Sequence, residues 1–233
     1  MKGSVEFISR KQAIEFIMPR HYAGRVPQIS YSFGWVIQKE LVAVCTIGKP
    51  ASPSLCVGIC GEEYSDMVME LNRLIRLPTL TEPLSQFVGA VLRRLICKNI
   101  ILVSYSDTAM NHNGYIYQAC NFIYTGMTKE RTDKSGTSGH SRHYEEDSPY
   151  RQVRSSKHRY IYFCTRDKRL KKEWIAALSY PVDSYPKGEN KNYVLGETLK
   201  TKRIQVADNT AWEEAQEKLN RQMRLEDIER TEE

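Results

Sequence analysis

The 233-residue sequence predicts an α/β fold built on a mixed sheet, and three observations carry that expectation. Helix-period and strand-period segments alternate along the chain, the pattern of helices packed on the faces of an open sheet. Ile100, Ile101, Leu102 and Val103 form a continuously apolar run, as a buried strand does. Directly after it the character changes: Ser104, Tyr105, Ser106, Asp107, Asn111, His112, Asn113 and Tyr115 crowd polar groups at the carboxyl end of that strand, where open α/β sheets place their ligands.

Taken in order, Ser9–Ile17 reads as a helix, with Ser9 as its N-cap and Ala13, Phe16 and Ile17 at helical spacing. Pro19 stops it, and His21-Tyr22-Ala23-Gly24-Arg25 follows as a polar turn. Tyr31–Val36 and Leu41–Ile47 alternate as two strands of a hairpin turned at Gln38-Lys39-Glu40. Gly48–Pro53 reads as a loop. Met67–Leu77 alternates as a strand, which puts Glu70 and Asn72 on one face and Leu71, Arg73 and Ile75 on the other. Thr81 is the expected N-cap of a helix over Leu84–Ile96, with Arg93 and Arg94 favourably placed at its carboxyl end. After the central strand come a short helix, Tyr115–Cys120, and a strand, Phe122–Tyr124. Thr128–Ser156 is rich in Ser, Gly, His and charge and reads as an excursion. Tyr160–Thr165 is a strand, Leu170–Leu178 a helix, Pro181–Asn192 a loop, and Ala211–Glu229 a charged helix with a narrow apolar stripe.

No run of about 18 apolar residues occurs and the N-terminus lacks a secretory signal, so the expectation is a cytoplasmic protein with no membrane partner. The six cysteines are scattered in apolar contexts, as reduced core thiols are; Cys56 and Cys60 have no second pair to complete a zinc site and read as strand packing. Charge is uneven. Lys129–Lys172 carries thirteen Lys/Arg against six Asp/Glu, while Asp208–Glu233 reverses to four against nine. Cations interleaved with His140, His143, His158 and several tyrosines suit a polyanion, by phosphate neutralisation and base stacking; a solvated loop accounts for the charge equally well.

Asn111, Tyr117 six residues on and Phe122 five further resemble the acceptor half of the GNAT N-acyltransferases. That resemblance implies a splayed central sheet and makes Tyr117 the general acid toward a leaving group. The family's Gly-rich pyrophosphate loop is replaced here by Pro78-Thr79-Leu80-Thr81-Glu82-Pro83, which disfavours acetyl-CoA as donor. More narrowly, the chain resembles the phage Mom family of DNA-modification proteins. The resemblance runs over residues 8–188 through Ala13-Ile14-Glu15-Phe16-Ile17 leading to His21-Tyr22, Phe33-Gly34, Gly48-Lys49-Pro50, Glu70-Leu71-Asn72-Arg73-Leu74, Ser85-Gln86-Phe87-Val88 and Ser104-Tyr105-Ser106-Asp107. It continues through His112-Asn113-Gly114-Tyr115-Ile116-Tyr117-Gln118-Ala119-Cys120-Asn121-Phe122, Lys157-His158-Arg159-Tyr160 and Tyr185-Pro186-Lys187-Gly188.

That resemblance implies a bacteriophage enzyme that converts adenine in DNA to N6-carbamoylmethyladenine and so shields the DNA from host restriction. Carbamoylmethyl and glycyl groups are isomers, which makes glycyl-tRNA the expected donor, with glycyl transfer to N6 followed by rearrangement. Glu70, Asp107 and His112 are then base candidates, Tyr117 the acid, and Ser104 and Tyr105 holders of the base or oxyanion. His21, Tyr22, Asn72, Arg73, Asn111 and Tyr115 would bind substrate. Arg142, Arg151, Arg154, Lys157, His158 and Arg159 would contact phosphates of double-stranded DNA whose adenine is flipped out, or of tRNA. No ligand spacing strongly supports a metal among His21, Asp107, His112 and His158. The expected organisation is a catalytic domain over 1–180 with the basic segment 129–172 inserted, then an extension over 181–233 whose acidic helix is suited to homodimer contacts or to the basic segment. Two rivals stand beside this reading: a GNAT acting on tRNA or protein amines, and a noncatalytic nucleic-acid-binding protein of the same fold.

Overall fold

The computed structural model describes residues 3–134, 150–188 and 203–205, together with the helical positions Glu214 and Glu217. Arg142 and nearly all of the expected helix over 211–229 lie outside the described residues. Along the chain run β1 (Ser4–Phe7), α1 (Arg10–Ile17), β2 (Tyr31–Ile37), β3 (Glu40–Gly48), α2 (Pro53–Cys60), β4 (Val68–Arg76), α3 (Leu84–Leu95) and β5 (Ile100–Asp107). They are followed by α4 (Tyr115–Ala119), β6 (Ile123–Met127), β7 (Arg131–Lys134), β8 (Tyr150–Arg154), β9 (Lys157–Cys164), α5 (Lys168–Ala176) and β10 (Arg203–Gln205). Seven strands form one sheet in the order β1-β2-β3-β4-β5-β9-β6, antiparallel except where β4 meets β5. This is the mixed, helix-flanked α/β sheet that the sequence predicts. The chain divides into two compact units, 1–127 with 157–199 and 128–156 with 200–233, so the boundary cuts through the basic segment. In the second unit β10, β8 and β7 pair in a three-stranded sheet.

Local chemistry explains the elements. Ser9 caps α1 in a reciprocal capping box with Gln12. Gln38 and Lys39 both take positive φ, the two-residue hairpin geometry that matches strand twist. Two expectations are corrected. The N-cap of α3 is Pro83, which cannot cap through a side chain, whereas Thr81 donates to Glu82 at 3.2 Å. Cys56 and Cys60 sit one turn apart on a helix, not a strand, because Ser52 caps it by accepting from Leu55 (3.3 Å) and Pro53 opens it.

The core lies on both faces of the sheet. On one face α3 buries Phe87, Val88, Val91, Leu92 and Leu95 against Ile100 and Leu102, with Tyr117, Phe122 and Tyr160 in the same cluster. A buried side chain of this size contributes roughly 1.5–3 kcal/mol. On the other, Cys56, Ile59 and Cys60 of α2 and Trp174 of α5 pack on Ile101, Val103, Ile161 and Phe163. α1 covers Val44 and Ile75. Residues 100–103 are apolar without a break because alternate side chains serve opposite cores.

One departure from regular pairing sets the facing of the residues around Asn72. Thr46 pairs with Arg73 and Ile47 with Leu71, so Asn72 is an extra, bulged residue. The bulge shifts the strand's phase. Glu70 lies with Val68 on the α2 face, and Arg73 lies with Ile75 on that same face, not with Leu71 as strict alternation predicts. Asn72 is fixed by its side chain, which accepts from Thr46 Oγ1 (2.7 Å) and donates to the Gln28 carbonyl (2.7 Å). The Gln28 loop lies directly on Gly48, where an added Cβ would stand 2.0 Å from the Gln28 oxygen. Gly48→Ala is therefore expected to destabilise the fold by about 1–3 kcal/mol through overpacking. Urea unfolding measures this; a midpoint equal to the parent's would contradict the close approach of loop and strand.

Candidate functional site

The site begins where two strands part. β4 and β5 pair in parallel only over Val68–Leu71 and Ile101–Ser104. Beyond that point β4 continues beside β3 while Tyr105, Ser106 and Asp107 continue beside β9, which opens the sheet at the carboxyl ends of its two central strands. Ser104 stands at the fork, its hydroxyl donating to the Leu71 carbonyl at 3.0 Å.

On the α3/α4 face, Tyr117 is buried at 9% exposure against Phe122 and Tyr160, with ring centroids 5.3 and 5.4 Å away. Burial pushes its phenol above the ordinary tyrosine range, and the Ser104 hydroxyl beside it acts in the opposite direction. Tyr117 also senses Glu70 and Tyr22, which belong to the other side of the sheet. The parting of β4 and β5 lets the two sides meet.

On the opposite side, Glu70 is raised by burial against the opposing pull of Arg73, Lys157 and Arg25. Burial dominates. Tyr105, half-buried toward Cys56 and Tyr180, is likewise pushed up by desolvation. Arg73 donates to the Asn72 carbonyl (2.7 Å) and the Arg25 carbonyl (3.3 Å), while its Nε is buried without a hydrogen-bond partner. These bonds tie the loop after α1 to the bulge, so His21, Tyr22 and Arg25 are held over β4.

His21 is unusual among the titratable groups. Burial, reinforced by Arg73, His112 and Lys157, lowers its pKa to about 3. Its Nδ1 accepts the Ala23 amide at 3.1 Å, so the proton of the neutral ring resides on Nε2. His21 stacks on Tyr22 (4.4 Å), and Tyr22 meets His112 edge-on at 6.5 Å. Asp107, 4% exposed, pairs with Lys157 at 3.2 Å and caps the following turn by accepting from Ala109 (3.0 Å). The Ser106 hydroxyl donates to the His112 carbonyl (2.8 Å).

The structure thus brings Glu70, Arg73, His21, Tyr22, Tyr105, His112, Lys157 and Tyr117 into one electrostatic neighbourhood. It does not gather all the sequence candidates. Asn72 is absorbed in the bulge, Asn111 is an exposed turn residue in the left-handed region, and Tyr115 is 63% exposed. His158 is buried and bonded to the Tyr124 hydroxyl (2.9 Å). Arg159 donates to Thr125 Oγ1 (2.9 Å) and stacks on Tyr180 at 3.3 Å. Arg151 and Arg154 belong to the second unit, bonded to Thr132 (2.9 Å) and Asp133 respectively. Arg25 from the loop after α1, Cys56 of α2 and Tyr180 beyond α5 complete the neighbourhood, and no motif in the sequence marks them. Among the described residues no three His, Cys, Asp or Glu side chains are arranged to hold a metal ion, and no helix is long and apolar enough to cross a membrane.

No curated protein matches the chain. Among solved structures, it is similar to a proposed acetyltransferase from Acinetobacter baylyi ADP1 at 12% identity over 57% of this chain and 62% of that one, TM-score 0.37. It is also similar to an N-acetyltransferase from Staphylococcus aureus Mu50, at 10% identity over 70% of this chain and 99% of that one, TM-score 0.46. A GNAT family acetyltransferase from Elizabethkingia anophelis with acetyl-CoA bound is 9% identical over 70% of this chain and 98% of that one, TM-score 0.43. The Mom protein family matches residues 3–187, the greater part of the sequence, and the chain belongs to that family.

Proposed function

We propose that the protein is an acyl-transfer enzyme of DNA modification that converts adenine to N6-carbamoylmethyladenine, protecting phage DNA from host restriction. Membership of the Mom family supports it, and the observation that carries it is that a buried phenol, Tyr117, and a half-buried carboxylate, Glu70, flank the gap between β4 and β5 within electrostatic reach of each other. A raised carboxylate suits a general base and a buried phenol beside a hydroxyl suits a general acid. Their placement on opposite sides gives each substrate its own approach: the adenine from the Glu70 and Tyr105 side, the acyl donor from the Tyr117 side.

The donor in this reading is glycyl-tRNA. Adenine N6 attacks the ester carbonyl; the N–C bond forms, the N6 proton passes to Glu70, and the ester C–O bond breaks as Tyr117 protonates the departing tRNA hydroxyl. The free glycyl amine then attacks purine C6, and the former N6 leaves that carbon to become the terminal carboxamide. Neutral His21, with its proton on Nε2, is a donor suited to the oxygen that becomes negative in the tetrahedral adduct. Arg73 and Lys157 add positive charge there. N6 is paired in a duplex, so the target base leaves the stack, and Tyr22 and Tyr105 offer faces that offset part of that cost.

Coenzyme A, the donor group of the fold's acetyltransferases, fits these residues poorly. Between β4 and α3, Pro78 and Pro83 have no amide proton, the Leu80 amide bonds to Leu77 (3.2 Å) and the Gln86 amide to Pro83 (2.9 Å). The loop carries no glycine and two residues without an amide proton, which weakens it as a pyrophosphate cradle. Lys157 of the first unit and, independently, Arg151 and Arg154 of the second are proposed for phosphate contact, each in exchange for the partner it now holds.

Mass spectrometry of nucleosides from plasmid DNA after expression tests the function: a deoxyadenosine adduct heavier by the carbamoylmethyl group is expected, and unmodified deoxyadenosine would refute it. Tyr117→Phe is expected to slow adduct formation about 10²–10⁴-fold while sparing DNA retention, the range of general acid catalysis; an undiminished rate would remove Tyr117 from the acid role. His21 supplies a pH test. Its folded pKa of about 3 lies below the ordinary histidine value of 6.5, so the unfolded chain takes up a proton that the folded one refuses. Stability from this group is present above the unfolded value and is lost as pH falls toward the folded one, at up to about 1.4 kcal/mol per pH unit before discount for partial exposure. His21→Asn should flatten the fall in urea stability between pH 6 and pH 4, roughly the window between those two values; a parental slope in the variant would contradict a half-buried imidazole held neutral.

A further inference from the structure

The Tyr185-Pro186-Lys187-Gly188 motif and Gln118 play no part in the chemistry above, yet the fold joins them to it. After α5 the chain runs along the outer edge of the sheet: the Asp183 amide donates to the Tyr124 carbonyl (3.0 Å) and the Tyr185 hydroxyl to the Phe122 carbonyl (2.8 Å). The segment then reaches α4. There Gln118 Nε2 lies within reach of three acceptors, the Asn113 carbonyl (2.9 Å), the Tyr160 hydroxyl (3.1 Å) and the Pro186 carbonyl (3.4 Å). Tyr160 donates to the same Asn113 carbonyl at 2.5 Å.

What these bonds hold is one turn. Asn113 follows His112 directly, and Gly114 then takes φ +71° with its Cα so close to the Tyr160 ring that a Cβ would stand 2.3 Å from Cε2. The Gly114 carbonyl accepts the amides of Tyr117 (2.8 Å) and Gln118 (3.1 Å), so the turn is also the origin of the helix that aims Tyr117. Two buried phenols could be packed by apolar neighbours alone. The direction of the Asn113 carbonyl could not, and it is set by Gln118 and Tyr160 together.

We propose that Gln118 is a positioning residue for the reaction, latching the Asn113-Gly114 turn to Tyr160 and to the 182–188 strap so that His112 and Tyr117 keep their places at the strand gap. This rests on the acyl-transfer reading for its consequence in catalysis, but the latch itself is a property of the fold. Gln118→Leu removes the donors at similar volume. The variant should form the adenine adduct at least tenfold more slowly at saturating substrates, with the DNA dissociation constant within twofold and an unchanged melting temperature. Tyr160→Phe should be slower in the same sense, and the double variant scarcely slower than either single one, because both act on one carbonyl. Hydrogen exchange at the Tyr117 and Gln118 amides, which needs no activity, should become faster in Gln118→Leu.

The outcomes separate cleanly. Parental turnover in Gln118→Leu, additive losses in the double variant, or a loss that tracks a lower melting temperature would overturn the positioning role. A parent protein that leaves no adduct refutes the acyl-transfer reading instead; the latch then stands or falls on whether exchange at Tyr117 changes.

Discussion

The constraint on which the rest of the site depends is the extra residue in β4. Without the bulge at Asn72, strand alternation sends Glu70 and Arg73 to opposite faces; with it they share one, and each enters the other's electrostatic balance. The same residue anchors the loop after α1 through Gln28, and that loop supplies His21, Tyr22 and Arg25. A local irregularity in pairing therefore assembles groups from two distant stretches. The divergence of β4 from β5 completes the arrangement, since it opens the sheet beside Ser104 and brings Tyr117 within electrostatic reach of Glu70.

Burial does the chemical tuning. Glu70 has three cations around it and still rises, so desolvation outweighs their attraction. His21 is driven the other way by burial and by positive neighbours, and its bond from the Ala23 amide settles which nitrogen bears the proton. Desolvation acts on all three groups beside the gap, raising Glu70 and Tyr117 and lowering His21. Asp107, the other carboxylate of the neighbourhood, is committed to Lys157 and to the turn it caps.

Much of this was legible in the sequence. The run 100–103 declared a central strand because its residues serve two cores, and Ser9 declared the start of α1. The short helix read over 115–120 lies at the fork and carries Tyr117. Strict alternation failed at β4, since a bulge has no sequence signature when its extra residue is an ordinary Asn. α2 escaped notice because Gly48–Pro53 reads as a breaker and Ser52 as loop chemistry, although together they cap a helix. The phosphate candidates were the least legible: charge counts cannot distinguish an arginine available to a partner from Arg159, whose guanidinium is held by Thr125 and Tyr180.

The central claim is that an acyl group crosses the strand gap and is then turned end for end on the purine. The most direct measurement incubates the protein and plasmid DNA with tRNA charged with glycine labelled with heavy nitrogen at the amine, and fragments the resulting nucleoside by mass spectrometry. The account predicts that the label stays with the purine, bonded to C6, after the terminal carboxamide is lost. Label leaving with the carboxamide, or an adduct formed from free glycine or acetyl-CoA without charged tRNA, would contradict it.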